Sequence, residues 1–328
     1  MYPVIDLHCD TIAHIEAEQR EGKEISLRRN TLHIDLERMQ QGGYLCQCFA
    51  LFTHLGALRK RGESPFAHAC HLADCWEEAI SPNSDLIQKC VSYKEILACQ
   101  AAGKMAALMT VEEGGVYEGK MENLYALYQR GVRMSTLTWN FENELGYPNP
   151  PYEEGKPYAA DETNGLTPTG VEMVQEMQRI GMIVDISHLS DAGIWDVFRC
   201  TKEPVIASHS NAREACGHLR NLTDEMIRKL ADHGGVTGIN YCSDFIRSGT
   251  DFSSCEDLVR HMKHLKQVGG IDCIALGSDF DGIGNQTEMG GAQGMQTLAV
   301  HMEKEGFTAG EIEKVFSQNA LRVFQEIL

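Results

Sequence analysis

Val4-Ile5-Asp6-Leu7-His8-Cys9-Asp10-Thr11 opens the chain with a short apolar run that ends in an imidazole and a carboxylate. Val4–Leu7 reads as a buried strand. His8 and Asp10, two residues apart at its end, point to the same face. An imidazole and a carboxylate converging in this way can chelate a divalent metal, although a strand end with one surface histidine has the same local pattern.

The pattern recurs outward from this start. Further short apolar, β-branched runs are Tyr44–Leu51, Met105–Val111, Arg133–Leu137, Met182–Ile186, Val205–Ala207, Gly235–Asn240 and Cys273–Leu276. Between them lie segments of helical period, clearest at Gly170–Ile180, Ala192–Cys200, Thr223–Ala231 and Cys255–Val268. Thr223 and Ser254, each followed by acidic residues, mark helix starts, and Gly181 marks a stop. Eight strands alternating with helices predict an α/β fold, a (β/α)8 TIM-like barrel with extra C-terminal helices over Gly310–Leu328. A doubly wound sheet is the competitor, but no G-x-G-x-x-G follows a strand. With no repeat or Ser/Gly linker, residues 1–328 read as a single domain. The proline-bearing stretch Asn140–Asn164, with Pro148, Pro150, Pro151 and Pro157, reads as a long functional loop.

Composition narrows the partners. Against 29 Lys and Arg stand 47 Asp and Glu, a net charge of −18, which repels nucleic acid and anionic membrane. No apolar run is long enough to span a membrane, and neither a signal peptide nor a lipid-anchor tail is evident. The twelve cysteines contain no C-x-x-C pair and read as reduced, buried packing residues. The expectation is a soluble cytoplasmic protein.

Four more strand ends carry chemistry: Val111-Glu112-Glu113-Gly114-Gly115, Ser187-His188, Ser208-His209-Ser210 and Gly277-Ser278-Asp279. In a barrel, residues at the carboxyl ends of the strands meet at one mouth. Two histidines, the His-x-Asp pair and the acid before the glycines supply five ligands, enough for two metals sharing a carboxylate. Any one of these histidines fits a structural role. Five apolar runs that all end in such residues, at the same end, are hard to obtain by accident. The other histidines, His14, His33 and His54 among them, lack that context, and His68 and His71 read as an exposed helix face.

The ordered set His-x-Asp-Thr, Glu-Gly-Gly, Ser-His-Leu-Ser, Ser-His-Ser, Arg-Asn and Asp-Phe-Asp-Gly resembles the membrane (renal) dipeptidase family of two-zinc, amidohydrolase-like barrels. The resemblance runs from residue 4 to about residue 282, with Ala320-Leu321-Arg322-Val323-Phe324 also similar. It implies two zinc ions, one bound by His8 and Asp10 and the other by His188 and His209. Glu113 would bridge them, with Glu112 pointing away. It further implies a hydroxide shared by the metals, Asp279 as general acid/base, and Arg220 binding the free carboxylate of a dipeptide whose C-terminal residue can be D. Tyr241 would line the same pocket. A homodimer is compatible with the family. One position departs from it. Where mammalian members carry histidine after Leu-Thr-Leu-Thr, this chain reads Leu137-Thr138-Trp139-Asn140, so Asn140 is the candidate donor to the scissile carbonyl.

Two alternatives stand beside the dipeptidase. One is another binuclear-metal amidohydrolase acting on a cyclic amide, lactone or phosphoester. Those relatives usually begin His-x-His and use a modified lysine, against which Asp10 and Glu113 argue. The other is a non-catalytic peptide-binding barrel, which loss of Asp279 or a ligand would favour; none is lost.

Overall fold

The structure is a computed structural model, described over residues 1–151 and 158–328. Eight parallel strands close into a barrel: β1 Val4–Cys9, β2 Tyr44–Phe52, β3 Met105–Glu112, β4 Val132–Thr136, β5 Ile183–Asp185, β6 Ile206–Ala207, β7 Val236–Ile239 and β8 Ile274–Leu276. Each pairs with the next, and Asp6 of β1 lies in register with Leu276 of β8 to close the ring. All eight coincide with the runs expected from sequence. Ile87–Lys89 adds a short strand against the start of β3, and Phe252–Ser253 pairs with Gln286–Thr287 away from the barrel. Pro157 falls outside the described residues, while the described flanks of its loop contain no helix.

The helices begin and end where local chemistry dictates. Thr223 and Ser254 accept from the backbone N–H groups of Met226 and Asp257, capping Asp224–Asp232 and Cys255–Gly269. Gly181 ends Pro168–Ile180 at φ 77°, a conformation glycine adopts without a Cβ penalty. Three helical segments over 309–327 finish the chain, as the periodicity over Gly310–Leu328 anticipated.

Strand parity decides what enters the barrel. One apolar cluster draws Ile5, Leu7, Cys46, Cys48, Ala106, Leu108, Met134, Ile183, Ile206, Val236 and Ala275 from all eight strands and is closed below by Ala320, Val323 and Phe324. The other packs Val4, Phe49, Ala107, Met109, Val111 and Ala207 against the helices. On β3 the interior residues are therefore Ala106 and Leu108, and the two-residue period carries Thr110 and Glu112 inward as well. On β1 the register slips between Asp6 and Cys9, a bulge after which Cys9 packs outward. His8 and Asp10 are thereby aimed at the mouth.

Candidate active site

Glu112 lies at the centre of the mouth. Its Oε2 is 3.3 Å from His8 Nε2, and its Oε1 is 2.9 Å from His188 Nε2 and 3.5 Å from His209 Nε2. One carboxylate thus presents one oxygen to each of two histidine groups. Around His8 Nε2 stand Asp10 Oδ2 at 3.6 Å and Asp279 Oδ1 at 3.9 Å. His188 Nε2 and His209 Nε2 are 2.9 Å apart.

The expectation for the glutamate pair is corrected here. Glu113 does not reach the histidines. Its carboxylate is buried and accepts from the Gly115 and Trp139 N–H groups and from Asn143. The cause is parity: Glu112 continues the inward series of β3, whereas Glu113 leaves the strand at φ 94°. Both faces of this strand are apolar, so the sequence gives the two-residue period but not which of its two sets turns inward.

The histidine tautomers are set from behind. His188 Nδ1–H donates to Asn140 Oδ1 at 3.0 Å. Ser208 Oγ–H donates to Asp185, so Ser208 Oγ accepts from His209 Nδ1–H at 2.7 Å. Asp185 is buried and also accepts the Ser187 and Ser208 N–H groups at 2.9 Å each. Both Nε2 atoms are consequently left as lone pairs aimed at one another and at a carboxylate oxygen. Uncompensated, that arrangement is repulsive. His8 Nε2 and Asp10 Oδ1 are buried without any hydrogen-bond partner. Buried, unpartnered N and O atoms around crowded carboxylates fit the N/O donor set of divalent metals.

Charge crowding has the same meaning. Burial, reinforced by Asp10 and Asp279, raises the Glu112 pKa to about 8. Burial and Asp10 raise Asp279 to about 6, against the opposing pull of His8, of an Asn240 hydrogen bond and of Arg220. Burial lowers His188 and His209 well below the ordinary imidazole range, keeping them neutral and available as ligands. His188 at φ 68° and Asp279 at φ 59° hold left-handed backbone that costs a non-glycine residue roughly 1 kcal/mol or more.

Arg220 is anchored at the end of β6. Its Nη1 donates to Ser210 Oγ and its Nη2 to the His209 carbonyl, both at 3.2 Å, while Nε is buried and unpartnered. The Phe245 ring lies 5.5 Å from the guanidinium. Among the described residues no carboxylate pairs with it; it is not itself part of the cavity lining but lies within electrostatic reach of Asp279 and Glu112.

A cavity of about 500 Å³ opens over this cluster, lined by Asp10, Glu112, His188 and Asp279 and by Trp139, Asn140 and Phe245 further out. Asn140 is thus at the site as expected, though its carbonyl oxygen is committed to His188. Tyr241 is not. Its ring is fully buried edge-on to Phe280, with its hydroxyl toward Met295 Sδ. Two residues past the end of β7 and in step with Ile239, its side chain faces the helices, and Cys242 takes the lining position. Sequence reasoning also passed over Asn240, Asp185 and Ser208, since no local pattern announces an orienting residue. His14 and His54, set aside for lack of context, line the cavity.

Comparison with known proteins identifies the family. The chain is 31% identical over 311 residues to an uncharacterised dipeptidase of Schizosaccharomyces pombe, covering 90% of this chain and 72% of that one. It is 29% identical over 312 residues to dipeptidase tcpJ of Claviceps purpurea, covering 90% and 69%. Its fold superimposes with a TM-score of 0.90, at 24% identity over the full length of both chains, on a metallopeptidase from Rhodobacter sphaeroides liganded with a phosphinate mimic of L-Ala-D-Ala. The membrane dipeptidase family model, peptidase family M19, matches residues 1–328. The chain belongs to that family and is a metal-dependent dipeptidase.

Proposed function

We propose that the enzyme hydrolyses dipeptides, including those with a C-terminal D-residue, using two zinc ions. His8 and Asp10 would hold one, His188 and His209 the other, and Glu112 both. The observation that carries this reading is Glu112, with one oxygen toward His8 and the other toward His188 and His209. The imidazole and carboxylate donors suit zinc. When bound, such ions acidify water and polarise a carbonyl.

The remaining work belongs to side chains. Arg220 forks onto the substrate carboxylate and so measures where a dipeptide ends. Asp279, held by Asn240 at 2.9 Å, takes the proton of the attacking water and delivers it to the leaving amine. A pKa near neutrality suits both halves of that transfer. Asn140 accepts from His188 through its oxygen, which leaves its amide N–H groups to donate to the developing oxyanion. The D-residue follows the ligand of the Rhodobacter sphaeroides relative, a mimic of L-Ala-D-Ala.

The test is metal content together with cleavage of L,L and L,D dipeptides before and after chelation. About two zinc per chain with chelator-sensitive cleavage is expected. Bound zinc with no dipeptide cleaved would overturn the reading.

A further inference from the structure

The barrel order β1 to β8 places β2 diametrically across the mouth from β6. Arg220 is tied to Ser210 and His209 just past the end of β6, whereas Phe52 is the last residue of β2. On the β2 side the cavity is lined by Phe52 and His54, with Trp139 from beyond β4 packed on both and with Ala13 and Ala17 also in the lining.

These groups form a slot with rigid aromatic sides and small residues on one face. Ala13 and Ala17 are one turn apart on the helix Thr11–Arg20, so both methyl groups face the same way. Trp139 meets Phe52 edge-on at 4.9 Å and His54 at 5.1 Å. His54 is itself fixed as the cap of Leu55–Arg61, its Nδ1 accepting from the Ala57 N–H at 3.2 Å. Behind the slot lies a second cavity of about 200 Å³ that shares Ala13, Ala17, Phe52 and His54 and adds Leu58 and Leu72. Glu16, Arg20, Arg61 and His68 also line it, with Arg20 paired to Glu16 and Arg61 to Glu63. Aromatic and small apolar groups dominate the slot itself, and together with the space behind it the slot is larger than an alanine side chain requires.

We infer that this slot receives the side chain of the substrate's amino-terminal residue and selects large apolar or aromatic residues there. The inference rests on the dipeptidase reading. A dipeptide whose carboxylate sits on Arg220 and whose peptide bond lies over Glu112 directs its first residue across the axis toward β2. Filling an apolar slot discriminates by roughly tenfold to a hundredfold in kcat/KM.

The experiment is kcat/KM for X-D-Ala substrates, with X as Gly, Ala, Leu, Phe, Glu and Lys, for the zinc-loaded wild type, Ala17→Leu and Phe52→Ala. The wild type is expected to favour Phe and Leu over Ala by about tenfold or more. Ala17→Leu, which fills the slot from a partly exposed helix position, should bring the Phe-to-Ala ratio near one, and Phe52→Ala should lower it by removing a wall. Phosphinate mimics carrying Phe or Ala in the first position should show the same change in relative inhibition. A flat wild-type profile, a preference for Glu or Lys, or a ratio unchanged by Ala17→Leu would overturn the slot while leaving the dipeptidase intact. Absence of any cleavage would overturn the dipeptidase reading and the slot with it.

Discussion

Glu112 Oε1 lies 2.9 Å from His188 Nε2, while the adjacent Glu113 spends its carboxylate on backbone amides and Asn143. Two chemically identical neighbours thus have separate duties. Glu112→Gln is expected to lose bound metal and lower kcat/KM by about a thousandfold or more. Glu113→Gln should keep the metal and lose stability by about 1–3 kcal/mol, since its amide would set a donor against N–H groups. Elemental analysis after dialysis, with thermal unfolding, separates the two. Equal metal loss in both variants would contradict the assignment.

Asp279→Asn preserves shape and the reach to Asn240 but cannot take up a proton. Metal should remain bound while kcat falls by about 10²–10⁴-fold, the usual worth of a general acid/base. Single-turnover kinetics on the metal-replete variant provide the check, and near-normal turnover would remove Asp279 from the mechanism.

Arg220→Ala should weaken KM for dipeptides far more than for their carboxyl-amidated analogues, because only the former have a carboxylate to lose. Arg220→Lys should recover little, a point charge being a poor substitute for a planar fork. Equal losses on both substrate types would mean that the guanidinium merely braces the His209–Ser210 turn.

Asp185 holds His209 through Ser208, at one remove from the metal position. Asp185→Asn should reduce metal affinity by about 10–100-fold, as seen when orienting partners of ligating histidines are lost. Competition with a chelator measures this without reference to turnover. Unchanged affinity would assign the buried carboxylate to the fold alone.

His261 is buried and neutral, its Nε2–H donating to the Ile246 carbonyl at 2.9 Å and its Nδ1 accepting from the Ala212 N–H. Burial lowers its pKa from 6.5 to about 4. The unfolded chain therefore binds a proton between these values that the folded chain refuses, so stability falls as pH drops from 6.5 toward 4. At pH 5 the loss is about 2 kcal/mol. His261→Gln, able to make both bonds without titrating, should show a shallower decline of Tm between pH 7 and pH 5; an identical slope would exclude His261 as the cause.

Much of this was readable in the chain before any coordinates. Short buried strands in a parallel barrel are covered on both faces, so they stand out as apolar runs, and all eight were located to within a residue or two. Their ends carry His8, Asp10, His188, His209 and Asp279, and the closed barrel brings these together. Asn140 was found through its place in a motif. Tyr241, two residues past β7, keeps the outward parity of Ile239, which the apolar run Gly235–Asn240 by itself does not reveal. The motif position pointed to Glu113 rather than Glu112, and with both faces of Met105–Glu112 apolar the two-residue period could not say which face turns inward.

Sequence alone determined the element types, the barrel and the identity of most groups at the mouth, because strand burial and two-residue periodicity are local properties. Only the tertiary structure decided which glutamate stands between the histidines, which serine and carboxylate fix their tautomers, and what faces Arg220 across the axis. Those are relations between side chains carried on different strands and loops, set by ring closure and by the bulge in β1, and no local pattern encodes them.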